Sequence, residues 1–158
     1  MRHFYALIIL LITHLSVNAQ CDSSLNGSWK IVAFSTGDVN FNYISGLTFI
    51  SRDFGASYPD SAFKNKLIAS LKDAFKEHSY KFDSNGQFQS QLAKDQIETG
   101  IYCYIKETGE LKLTYKNALG NSITTDAKAV FNKGLLVIRV PKANKQGVYE
   151  YSYERKVE

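Results

Sequence analysis

Leu25-Asn26-Gly27-Ser28-Trp29-Lys30-Ile31-Val32 decides how the rest of this chain is read. It is a short strand opened by Gly-x-Trp, running over residues 27–34, with Trp29, Ile31 and Ala33 on one face. Further along, hairpin follows hairpin. Tyr80 and Phe82 run into Asp83-Ser84-Asn85-Gly86, a turn of the kind that Asn-Gly favours, and Phe88, Ser90 and Leu92 return. Residues 97–105 make the next strand, and Thr108-Gly109 then turns into Leu111, Leu113 and Tyr115. Gly120-Asn121 leads into Ile123, Thr125, Ala127, Ala129 and Phe131, and Lys133-Gly134 into residues 135–140. The last strand carries Tyr149, Tyr151, Tyr153 and Arg155. Counting 27–34, these are eight strands, seven of them in consecutive hairpin order. Such spacing predicts a mainly β, antiparallel up-and-down barrel or sandwich. Closure into a barrel is favoured because it removes exposed edges.

Between the first two of these strands the pattern changes. Residues 35–58 are rich in Gly, Asn, Ser and Asp, yet carry Phe41, Tyr43, Leu47, Phe49, Phe54 and Tyr58. A solvated loop has no use for so many aromatics, so an ordered, irregular segment is expected, with a short strand near 47–50. Ser57-Tyr58-Pro59-Asp60 has the form of a capping box with Pro in the first turn. Phe63, Leu67, Leu71, Ala74 and Phe75 then recur at helical spacing, with Lys64, Lys66, Lys72, Asp73 and Lys76 facing elsewhere. The spacing predicts one amphipathic helix over about 60–77, inserted between barrel strands 1 and 2. A membrane-surface helix fits less well, because the stripe is narrow.

Residues 1–19 read as a signal peptide. Arg2 and His3 form its basic end, 6–12 is an uninterrupted apolar run, and Val17-Asn18-Ala19 is a small-residue cleavage site. The apolar run is too short to span a bilayer, where about 20 residues are needed. What remains over 20–158 suits a single domain. Cys21 stands where a lipoprotein cysteine could stand, but lipoprotein processing wants a small residue in place of Gln20. A soluble secreted or periplasmic product is therefore expected ahead of a lipid-anchored outer-membrane form.

Cys21 and Cys103 are the only cysteines, and an oxidising compartment permits one bridge between the N-terminal tail and a central strand. The alternative is a buried free Cys103 and an exposed Cys21. The net charge of +4 is dispersed along the chain rather than gathered in a stripe. Nucleic-acid binding would need a basic patch. No nucleic-acid partner and no membrane span are expected, and a monomer is.

Gly27-Ser28-Trp29, the run of hairpins and Arg155 at the end of the last strand together resemble the lipocalin pattern. The resemblance is closer to the short bacterial secreted proteins called lipocalin-like domain proteins. Those share Gly-x-Trp-Lys, a Tyr80-to-Phe88 type of hairpin, Gly100-Ile101-Tyr102 on a middle strand, and Tyr-x-Tyr-x-Arg at the end. The likeness covers nearly all of residues 25–156. It implies that Trp29 plugs the base of the barrel and that the Arg155 guanidinium stacks over it. Two features depart from the lipocalin pattern: Thr125-Asp126 is followed by Ala127, and the chain stops three residues after Arg155, with no C-terminal helix. Fold is thus a safer inference than ligand transport.

Chemistry is sparse. His78 is the only histidine beyond the leader, so multi-histidine metal sites are excluded, and a Cys103–His78 dyad is a remote alternative to a helix-capping role. Asp83-Ser84-Asn85-Gly86 lacks the further acidic ligands of a calcium loop. No P-loop, dinucleotide fingerprint, zinc spacing or Gly-x-Ser-x-Gly elbow is present. No cofactor, metal or catalytic residue is assigned. Tyr and Phe are abundant, with 10 each, and many fall on strands. They either fill the barrel as core or form an aromatic wall for a small hydrophobic or aromatic ligand. On the second reading Tyr80, Phe82, Phe88, Tyr102, Tyr115, Tyr149 and Tyr151 line the interior, and the small Ser90, Gly100, Ala127 and Ala129 leave room. A filled structural or protein-interaction domain of the cell envelope is the alternative. A barrel enzyme ranks third.

Overall fold

The structure is a computed structural model that describes residues 21–93, 96–117, 119–143 and 146–157; the leader expected over 1–19 lies outside them. Among the described residues, ten strands and two helices follow in order. They are β1 (Gly27–Ser35), β2 (Val39–Asn42), β3 (Thr48–Ile50), α1 (Arg52–Ser57), α2 (Ser61–Phe75), β4 (Ser79–Phe82), β5 (Gln87–Ala93), β6 (Gln96–Ile105), β7 (Glu110–Lys116), β8 (Ser122–Asn132), β9 (Leu135–Pro141) and β10 (Val148–Arg155). Strands β4 to β10 pair in sequence order, β4 pairs with the first half of β1, and β10 pairs with β1 from the other side. The result is a closed eight-stranded antiparallel barrel. The second half of β1 leaves β4 and pairs with β2, so the β2–β3 hairpin extends from the barrel wall. Hairpin and helices all lie between the first and second barrel strands.

Strand β2 was not anticipated, and β1 departs from simple alternation. Its register on β10 runs Trp29↔Arg155 and Ile31↔Tyr153, then Ala33↔Ser152, leaving Val32 as an extra residue. This bulge swaps the faces beyond it. Ala33, expected beside Trp29 and Ile31, lines an outer furrow, while Phe34 turns inward and is 2 % exposed. Bulges sharpen the coil of a strand, and β1 needs that to serve β4, β10 and β2 in turn. The Val32 carbonyl accepts from the Tyr43 N–H at 2.8 Å, which holds the hairpin to the bulge.

At the other end of β1, Trp29 is 3 % exposed, donates its indole N–H to the Leu25 carbonyl (2.7 Å) and packs against the Phe131 ring at 5.8 Å. Arg155 lies opposite it in register, with its guanidinium carbon 5.3 Å from the indole centroid. Arg155 also donates to the Asn26 carbonyl. Gly27 explains the first letter of Gly-x-Trp. Its φ is +126°, and a Cβ there would meet the guanidinium at 3.0 Å. A side chain would therefore be strained and would displace the arginine.

Cys21 and Cys103 form a disulfide with a Cα–Cα distance of 4.9 Å. The bridge seats the N-terminal segment on β6, and the Asp22 N–H continues the contact by donating to the Tyr104 carbonyl (2.7 Å).

Helix α2 begins at Asp60, whose carboxylate accepts from the N–H groups of Ala62 (2.8 Å) and Phe63 (3.1 Å). The cap is thus Asp60, not Ser57; Ser57 belongs to the short α1 and donates its hydroxyl to Asp53 O. The stripe is also rotated from expectation. Ile68, Leu71 and Phe75 pack on the core together with Phe54 of α1, while Phe63 is 54 % exposed. No residue of α2 is fully buried.

Candidate functional site

The seven aromatics expected to line the interior fall into two groups. Phe82, Phe88 and Tyr102 are closed off, with 2 %, 4 % and 5 % of their surfaces exposed. Tyr102 is further committed: its hydroxyl donates to the Asp83 carbonyl (2.9 Å) and pairs with the Asn26 carboxamide (2.9 Å). The Asp83 carboxylate is spent on the N–H groups of Asn85 and Gln87, both at 2.9 Å, so this loop is a structural turn. Tyr80, Tyr115, Tyr149 and Tyr151 form the second group. They pack against the same core but remain partly exposed.

The second group sits in a continuous aromatic assembly. On β10, Tyr149, Tyr151 and Tyr153 point inward at every second position, as the alternation predicts. Phe34, turned in by the bulge, lies 4.2 Å from the Phe75 ring of α2, 5.0 Å from Tyr151 and 6.2 Å from Tyr149. Tyr80 makes an edge contact with Tyr153 (5.5 Å) and packs near Phe88 (6.2 Å), which in turn meets Tyr115 edge-on at 6.4 Å. Burial raises the hydroxyl pKa of Tyr80, and the nearby Tyr151, Glu98 and Tyr115 add to the effect. Burial, with Tyr149 beside it, pushes Tyr151 up to about 12. The Tyr80 and Tyr151 hydroxyls are therefore protonated at neutral pH.

Helix and hairpin meet over this assembly. The Tyr43 hydroxyl, beyond β2, donates to the Lys72 carbonyl of α2 (3.0 Å), and Val39 and Phe41 are buried in the core.

His78, just after α2, is 4 % exposed, and its Nδ1 lies 2.8 Å from the hydroxyl of the fully buried Tyr153. Cys103 is bridged, so no Cys–His dyad exists; the partner of His78 is a tyrosine. Burial lowers the His78 pKa to about 4. The unfolded chain therefore takes up this proton first as pH falls. Stability from His78 is complete above about pH 6.5 and is lost on the way down to pH 4, by roughly 3 kcal/mol. Urea midpoints of His78→Gln should fall less than those of the parent protein between pH 7 and pH 4.5. Equal losses would show that the imidazole is not the titrating group.

Two polar residues that the sequence did not single out as anchors share this interior face. Ser90 on β5 stands between Tyr80 on β4 and Glu98 on β6 in the strand register. Ser90 is 1 % exposed, and a hydrogen bond between its side chain and the Tyr80 hydroxyl works against the effect of burial on Tyr80. Glu98 is inward by the same alternation that buries Tyr102 and Tyr104, and burial raises its carboxyl pKa. That alternation was the available signal. Gly100, by contrast, opens no room: a Cβ there would collide with the Thr114 carbonyl and lie 2.9 Å from the Phe88 ring. Its smallness serves strand approach. Furrows of about 510 Å³ (Lys112, Asp126, Lys128, Arg139) and about 420 Å³ (Ala33, Asn40, Phe49, Glu150) lie among outward-facing side chains, across the wall from the tyrosines.

No family model matches the sequence, and no curated protein sequence does. A crystal structure of a DUF4847 family protein from Bacteroides vulgatus ATCC 8482 is similar in fold. It superposes with a TM-score of 0.50 at 12 % identity, covering 84 % of this chain and 95 % of that one. At that identity the likeness concerns the barrel alone.

Proposed function

We propose that the protein is an exported, single-domain, lipocalin-like barrel that binds a small molecule with a hydrophobic or aromatic body against Tyr80, Tyr115, Tyr149 and Tyr151. The observation that carries this reading is the unequal closure of the aromatic interior. Phe82, Phe88 and Tyr102 keep 5 % or less of their surface, whereas these four tyrosines stay partly exposed on the same core. A ring with a hydroxyl suits a wall that is wet when empty and dry when filled. The leader-like residues 1–19 and the Cys21–Cys103 bridge support export. Among the described residues, no helix is long and apolar enough to cross a membrane.

In this reading α2 and the 35–58 segment act as the lid. The helix is held by Ile68, Leu71 and Phe75 on one half-buried face and by the Tyr43 hydrogen bond, so local opening costs less than opening the strands. Nile red, a neutral apolar fluorophore, is expected to brighten on titration with the native protein. Amides of α2 should exchange faster than those of β6 to β9, and bound Nile red should slow α2 more than the strands. Strand-like protection of α2 with no Nile red binding would instead favour a filled interaction domain. For that second reading the relevant feature is the β2–β3 hairpin, where Ile44, Leu47 and Phe49 are 70 %, 72 % and 63 % exposed.

A further inference from the structure

We propose that the outer furrow formed by β10, β1 and the β2–β3 hairpin is a saccharide site, in which a neutral pyranose ring stacks on Phe49. The site lies across the wall from the tyrosines and does not depend on the barrel interior binding anything.

The furrow exists because the β1 bulge clears it. In unbroken alternation Phe34 would face outward here; the extra residue Val32 turns Phe34 inward and sets Ala33 outward instead. Two register rows then cross the strands. One runs Ser152, Ala33 and Asn42; the next runs Glu150, Ser35, Asn40 and Phe49. Small side chains on β1 thus form a floor between taller neighbours. The space above it is about 420 Å³, a size suited to a small ligand. Bulges re-aim side chains in this way beside functional sites.

The lining selects a chemistry. Phe49 is 63 % exposed and Leu47 72 %, which makes an apolar flank open to solvent. The remaining groups exchange hydrogen bonds with hydroxyls. The Asn42 Oδ1 accepts from the N–H groups of Ile44 (3.0 Å) and Ser45 (2.9 Å), which fixes the side chain and leaves its NH2 to donate. The Asn40 Oδ1 is buried with no hydrogen-bond partner among the described residues, so that atom does not tie its carboxamide down. Glu150 accepts from Arg139 Nε at 2.7 Å, and its two oxygens keep lone pairs for hydroxyl donors. That ion pair also decides charge: Glu150 repels an anion, and Arg139 already meets its demand for a cation. A neutral ligand with a flat apolar face and several edge hydroxyls fits. A pyranose has both, and its ring C–H groups pack on an aromatic face. The larger furrow around Lys112 and Lys128 differs. There Glu110 faces Lys128 and Asp126 faces Lys112 in register, and no aromatic ring lines it.

The test is an NMR titration of the isotope-labelled, oxidised protein with cellotriose, maltotriose and mannotriose, and with sorbitol as an acyclic polyol control. At least one trisaccharide is expected to shift the signals of Ser35, Asn40, Asn42 and Phe49, and sorbitol none of them. Phe49→Ala should weaken that binding about tenfold or more, and Phe49→Tyr should keep it. Neither should disturb folding, since the ring is mostly exposed. Ala33→Leu, which refills the floor, should block the sugar independently. The proposal is overturned if no trisaccharide shifts these signals, if sorbitol shifts them equally, or if either Phe49→Ala or Ala33→Leu binds as tightly as the parent. Nile red should bind Phe49→Ala as it binds the parent. A variant that loses the dye as well overturns the proposal, because the furrow would then hold the apolar probe. Failure of Nile red to bind any of these proteins removes the barrel-interior reading and leaves the saccharide site standing.

Discussion

Trp29→Ala is expected to lower the unfolding free energy by about 3–5 kcal/mol, the cost of truncating a large, fully packed aromatic. Trp29 is 3 % exposed, and its neighbours have little freedom to collapse into the space. The Leu25 carbonyl loses the indole N–H at 2.7 Å, Phe131 loses its ring contact, and the Arg155 guanidinium loses the face it covers. Trp29→Phe should recover most of the packing and cost less, since it forfeits mainly the hydrogen bond and part of the cation–π contact. Denaturant unfolding followed by far-ultraviolet circular dichroism measures both. A loss below about 1 kcal/mol for Trp29→Ala would mean that the base of the barrel does not depend on this side chain.

The second large effect concerns the covalent tie. Replacing Cys21 and Cys103 together by alanine is expected to destabilise the protein by about 4–5 kcal/mol, the chain-entropy value for a bridge across 82 residues. Native-state strain and residual structure in the unfolded chain reduce such values, so about 2 kcal/mol is the lower bound. The double variant is preferable to a single one, which would leave a reactive thiol. Its denaturant midpoint, compared with that of the oxidised parent, gives the difference. The parent protein should show no thiol titratable before reduction; two free thiols in the native oxidised protein would contradict the bridge.

Much of the barrel was legible because its physics is local. Residues facing a barrel interior alternate with period two, and turns of Asn-Gly, Lys-Gly and Gly-Asn punctuate the runs. Strands β4 to β10 could therefore be placed from apolar spacing alone. The two cysteines were legible as a pair because only one pairing was available. Tyr80, Tyr115, Tyr149 and Tyr151 could likewise be assigned to the inner face.

The rest depended on contacts between distant segments. A bulge adds one residue without changing composition, so alternation carried past Val32 put Ala33 inside in place of Phe34. Asp60 displaced Ser57 as the cap of α2, and Phe63 lost its burial, because the docking of the helix on the core, not its own stripe, chose which face to cover. The division of the interior aromatics into closed and partly exposed groups is a property of packing that no single strand encodes. Glu98 and His78 show the same limit. By itself the sequence determined a closed run of antiparallel strands, their inward residues and the one available cysteine pair, since each follows from spacing along the chain. Only the tertiary structure decided that Phe82, Phe88 and Tyr102 are closed off while Tyr80, Tyr115, Tyr149 and Tyr151 stay partly exposed, because burial is set by neighbours that lie far away in sequence.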